Sequence, residues 1–130
     1  MAAEDGYTMD EILELLSKIE TVPIEWMMKK LSVSIIRFVD EHQPGWVEAE
    51  LVDADGESHR FVDKVPIFSE RDLVRSDTYP QPGQIRCVAI SESRHADGRV
   101  VVEVSTASPD GVESTTGMSR FMVASTQLSD

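Results

Sequence analysis

The sequence predicts a mainly β fold: a small antiparallel barrel of six or seven strands, with an N-terminal helical segment. Three observations carry this. Beyond residue 31 apolar residues recur at a period close to two, as along half-buried strands. Asp55-Gly56, Asp97-Gly98 and Pro109-Asp110-Gly111 break those runs as tight turns at regular spacing. Before residue 31 the period is helical. A chain of 130 residues fits one domain, so the expected division is a helical arm over 1–30 and a β-barrel domain over 31–130.

The arm begins with residues 8–20. Thr8 and Glu11 have capping-box spacing, and Met9, Ile12, Leu13, Leu16 and Ile19 form one apolar stripe. Pro23 suits the first turn of a second helix, which would carry Ile24, Trp26, Met27 and Met28 and end at Lys29 and Lys30, cations favoured at a helix C-terminus. The strands then follow. Val33, Ile35, Ile36, Phe38 and Val39 make a β-rich run up to the Pro44-Gly45 turn. Val47, Ala49 and Leu51 alternate with Glu48 and Glu50 along 46–52. The strand over 58–65 is expected to stop at Pro66, which cannot donate to a ladder. Residues 69–83 read as a long connection, with a short helical turn at Leu73-Val74 and a rigid extended Tyr79-Pro80-Gln81-Pro82-Gly83. Residues 85–91, 99–105, 112–115 and 119–124 complete the strands.

The 12 basic and 24 acidic residues leave a net charge of −12, and 16 of the acids fall within residues 1–70. A field of that sign repels phosphate backbones and anionic membranes, so no nucleic-acid and no membrane partner is expected. It attracts a basic protein. Residues 71–100 are the local exception, where five arginines outnumber the acids by one. A single cysteine excludes an internal disulfide and a cysteine zinc site. No apolar run approaches the ~18–20 residues of a membrane span, and no signal peptide is evident, so the expected location is cytoplasmic.

No catalytic motif emerges. The chain has no phosphate loop, nucleophile elbow or dinucleotide fingerprint. No pair among His42, His59 and His95 has metal-ligand spacing. A calcium loop with Gly56 in its sixth position would begin at Leu51 and end at Val62, neither of them a ligand. Asp53 to Glu57 therefore reads as a hairpin turn, His59 as an ordinary strand residue, and the metal and cofactor expectation is none. Cys87, on an apolar strand face, reads as a buried thiol. The least ordinary stretch runs from His59 to Phe68, where Arg60, Val62 and Lys64 share a face. Trp46, Arg60, Lys64, Tyr79 and Arg86 are the candidate aromatic-basic binding surface. Glu48 and Glu50 are the candidate acidic one.

The run from Gly45 to Gly56, Phe61-Val62-Asp63-Lys64-Val65-Pro66, the segment from Tyr79 to Gly83, Gly111 to Thr115 and Arg120-Phe121 together resemble a small, uncharacterised bacterial family of β-barrel proteins. The resemblance covers about residues 33–128 and leaves the arm outside. More loosely, the pattern is similar to the six-stranded barrels of translation elongation factors. The resemblance implies a barrel and carries no catalytic residue with it.

The function expected from sequence is an acidic, non-enzymatic binding module for a protein or peptide, with a basic partner, such as a toxin met by an immunity protein, as the narrower form. The alternatives are a small enzyme whose site assembles only in the fold, and a structural subunit that forms a homodimer through its arm.

Overall fold

The computed structural model describes residues 28–130, and the helices expected over 8–20 and from Pro23 lie outside them. The described residues form one antiparallel sheet of seven strands: β1 (Met28–Asp40), β2 (Trp46–Val52), β3 (Ser58–Lys64), β4 (Gln81–Arg94), β5 (Val100–Ser105), β6 (Arg120–Ala124) and β7 (Leu128–Ser129). A single helical turn, α1 (Val65–Phe68), follows β3, and a 3-10 turn over Ser125–Gln127 leads β6 into β7. The strand order is β3-β2-β1-β4-β5-β6, with β7 paired to β1.

The mainly β expectation holds, and the sheet curls into a half-barrel. Among the described residues no ladder joins the two ends of the strand order. Two backbone hydrogen bonds bridge them instead: Ala54 N–H donates to the Met122 carbonyl at 2.9 Å and Thr115 N–H to that of Arg60 at 2.8 Å.

Strand β1 organises the sheet. One edge pairs with β4 from Met28↔Val88 to Ile35↔Gln81. The other serves β2 from Ser34 to Asp40 and β7 at Lys30 and Leu31. Lys29 and Lys30 therefore do not end a helix. Their backbones pair with Cys87 and Arg86, and the boundary expected after residue 30 falls inside a strand. Leu31, Val33 and Ile35 point into the core. The register shifts between Ile35 and Arg37, and again between Phe38 and Asp40. Each shift absorbs one extra residue, Ile36 and then Val39, so the doubled apolar pairs of the sequence are β-bulges.

Val47, Ala49 and Leu51 of β2, Phe61 of β3, Ile85 and Cys87 of β4, Val102 and Val104 of β5, and Phe121 and Val123 of β6 complete one core with β1. The Val, Leu, Ile and Phe side chains among them contribute about 1.5–3 kcal/mol each when fully buried. The expected strand over 58–65 ends one residue early. Val65 opens α1, and Pro66 sits in its first turn, where its missing donor costs nothing. Leu73 is buried, but no helix forms there. Residues 112–115 are not a strand. The Thr106 hydroxyl donates to the Val112 carbonyl at 2.7 Å while Val112 N–H donates to the Thr106 carbonyl at 3.0 Å, which folds the segment as a loop. Strand β4 begins at Gln81 rather than at Ile85. Among the described residues no helix is long and apolar enough to cross a membrane.

Candidate functional site

The outer face of β1, β2 and β3 gathers five of the seven residues singled out from sequence, three of them, Glu48, Glu50 and Arg60, in an ion-paired lattice. Glu48 accepts from Arg37 Nε at 2.6 Å and from Arg60 at 3.0 Å, and its side chain is only 12% exposed. The Arg37 hydrogen bond is the main reason its carboxyl lies below the ordinary range; burial opposes it and Arg60 reinforces it. Glu50 accepts from the Ser58 hydroxyl and lies 3.5 Å from Arg60. Lys64, cross-strand from Trp46, places its ammonium 5.8 Å from the Trp46 ring centroid. Trp46 also lines a shallow hollow with Val39, Asp40, His42 and Val62. The acidic face expected to project Glu48 and Glu50 is thus largely neutralised by its own neighbours.

Tyr79 and Arg86 do not join this face. Tyr79 packs against the core, and its hydroxyl donates to the Val74 carbonyl at 2.8 Å. Burial, then the Asp77 charge, raise its pKa. Arg86, on β4, holds Asp110 through two parallel hydrogen bonds of 3.0 and 2.6 Å. The five-residue aromatic-basic surface is therefore not assembled. The sequence placed Trp46, Arg60 and Lys64 on adjacent strands, but the curl of the sheet carries β4 to another side.

Near Arg86 the structure forms a groove that sequence reasoning missed. Its floor is the outer face of β1 and β4, where Lys30 stands across from Arg86 and Ser32 across from Gln84. Its wall is the chain from Phe68 to Arg71 with Thr78, Pro80 and Gln81, and the open groove spans about 810 Å³. Arg71 is oriented by donating to the side-chain oxygen of Gln81, and its own N–H donates to Ser69 Oγ at 3.0 Å. Among the described residues no ion pair within 4.0 Å engages Lys30 or Arg71. Glu70 is the one carboxylate of the lining, and a smaller hollow continues toward Asp110. The available signal was the period-two spacing of Lys30 and Ser32 before a loop holding Arg71. The helical spacing before residue 31 hides it, because it makes Lys30 the end of a helix.

A second cluster lies at the β2–β3 turn. Asp53 Oδ1 accepts from the Asp55 and Glu57 amides at 2.9 and 3.0 Å. Its Oδ2 lies 2.8 Å from His59 Nε2. Burial pushes the Asp53 carboxyl up, but the His59 contact and the two amides outweigh it and leave the pKa below the ordinary value. His59, read as an ordinary strand residue, is thus part of a side-chain cluster, and its ring meets Phe121 edge-on at 4.9 Å.

Cys87 is fully buried, and desolvation lifts its thiol to about 11. None of the three histidines lines the groove, so its hydroxyls have no imidazole base beside them. No family model, curated protein or solved structure matches the chain.

Proposed function

We propose that the chain is a non-enzymatic binding module for a protein or peptide, and that it seats an extended partner segment bearing a carboxylate in the groove between β1, β4 and the 68–81 connection. The observation that carries this reading is the presence of Lys30 and Arg71 at one groove, without a carboxylate partner among the described residues. Gln81, Gln84, Ser32, Ser69 and Thr78 surround them with groups that can meet a peptide backbone. A planar guanidinium and an ammonium suit a carboxylate. This departs from the basic partner suggested by net charge, because Glu48 and Glu50 are occupied by Arg37, Arg60 and Ser58. The net charge of −12 opposes long-range approach of an acidic ligand. Affinity must therefore come from contact hydrogen bonds rather than steering. A cytoplasmic location suits the single buried thiol.

Panning a random-peptide display library against the full chain tests this. Enriched peptides should share an Asp, a Glu or a free C-terminal carboxylate. They should lose about tenfold or more in affinity for Lys30→Gln with Arg71→Gln, a loss of about 1.4 kcal/mol or more. The melting temperature of that double variant should stay close to wild type, since the two cations make no ion pair among the described residues and surface charges contribute little to folding. Peptides without a carboxylate, or bound equally by the variant, would remove the groove from the reading.

A further inference from the structure

We propose that Asp53, Glu57 and His59 form a binding site for a divalent first-row transition-metal ion, with zinc as the reference ion. One donor atom from each lies within 4.8 Å of the other two. Asp53 Oδ2 and His59 Nε2 stand 2.8 Å apart. Two ligands on a tetrahedral ion about 2.05 Å away are separated by about 3.3 Å, so this pair needs to open by only about half an ångström to hold one.

The pair is also held in place. Its side chains are 10% and 11% exposed. Phe121 fixes the ring edge-on, and the two amides on Asp53 Oδ1 turn Oδ2 toward the imidazole. Such supporting bonds orient metal ligands. Glu57 is exposed, so its carboxylate can close onto a third position, with water filling the rest. One imidazole with two carboxylates favours transition ions over calcium or magnesium, which take oxygen donors. With a neutral imidazole the three groups carry two negative charges, which a divalent ion balances. Arg99 reaches the Ala54 carbonyl in the same turn at 3.2 Å but is itself paired to Asp97 at 2.8 Å. On binding, Nε2 of the neutral imidazole gives its lone pair to the ion and the ring's one proton resides on Nδ1, so the three groups keep their two negative charges. The ion would then fasten the turn beside the seam where β3 faces β6.

The test uses the full, untagged chain titrated with zinc chloride by calorimetry and with cobalt chloride by visible absorption. One ion should bind per chain and raise the melting temperature by mass action. Glu57→Gln, at an exposed position, should leave the metal-free melt unchanged and weaken binding about tenfold or more, at least the loss typical of a supporting residue. His59→Gln should abolish it, and His42→Gln with His95→Gln should leave it intact. The site is overturned if neither ion binds in a one-to-one ratio, if binding survives Glu57→Gln undiminished or persists in His59→Gln, or if it vanishes in the His42 and His95 double variant. Tighter binding of calcium than of zinc would overturn the donor argument as well.

Discussion

Gly83 lies so close to Ile35 that a β-carbon on the glycine would stand 2.7 Å from Ile35 Cγ1 and 3.1 Å from the Phe68 carbonyl oxygen. The contact joins three elements, because Gly83 is on β4, Ile35 on β1 and Phe68 closes α1. It also sets the depth at which the groove wall meets its floor.

Gly83→Ala should therefore destabilise the protein by about 1–3 kcal/mol, the range for overpacking a filled core. Equilibrium urea unfolding measures it. Ile35→Val in the same chain removes one of the crowded carbons and should recover part of the loss. Additive losses would mean that the two residues are not in contact.

Glu48 should give the sheet a pH-dependent component. Its folded-state pKa lies below the ordinary value of 4.5, chiefly because of the Arg37 hydrogen bond. A depressed carboxylate contributes stability above its unfolded pKa and loses it as pH falls through the folded value. Glu48→Gln should cost about 1–2 kcal/mol at pH 7, the lower part of the range for charge-assisted bonds, since the arginines are exposed. The gap between wild type and variant should close as pH drops below about 4.5. A gap that stays constant down to pH ~3 would show that no charge-assisted bond is involved.

Cys87 should be inert in the folded chain. Its thiol is pushed to about 11 and has no exposed surface. A bulky disulfide reagent at pH 8 should label it only at the rate of opening, and unfolding in guanidinium should release full reactivity. Immediate labelling of the native protein would contradict the burial.

Strands β2 and β3 were legible because nothing interrupts their alternation. Gly56, at φ +85°, supplies a left-handed position at the turn joining them. The first strand was harder. Ile35-Ile36 and Phe38-Val39 break a period of two, and only the partner strand shows that the extra residues are bulges. Met28-Lys29-Lys30 has no alternation of its own and becomes a strand because β4 supplies its backbone partners. Of the sites, Trp46 with Lys64 and Arg60 with its two glutamates could be read from strand spacing. The groove could not, since Lys30 and Arg71 are brought together by the curl of β1 and β4 and by a loop without periodicity. The Asp53, Glu57 and His59 cluster is visible in the sequence only once the turn is known to fold His59 back over Asp53.

The pairing of β7 with the start of β1 has a kinetic consequence. Lys29 and Asp130 form an ion pair although 101 positions separate them, and Leu31 is paired with Leu128 beside it. During synthesis β1 leaves the ribosome long before β7, the last of its three neighbours, exists. The β2–β3 hairpin can form early and cover Ser34 to Asp40 of β1, but the Lys30–Leu31 stretch of the same edge stays open until Leu128 emerges. Folding dominated by such distant pairings is slow. Over that interval the open edge is the part of the nascent chain most in need of a chaperone.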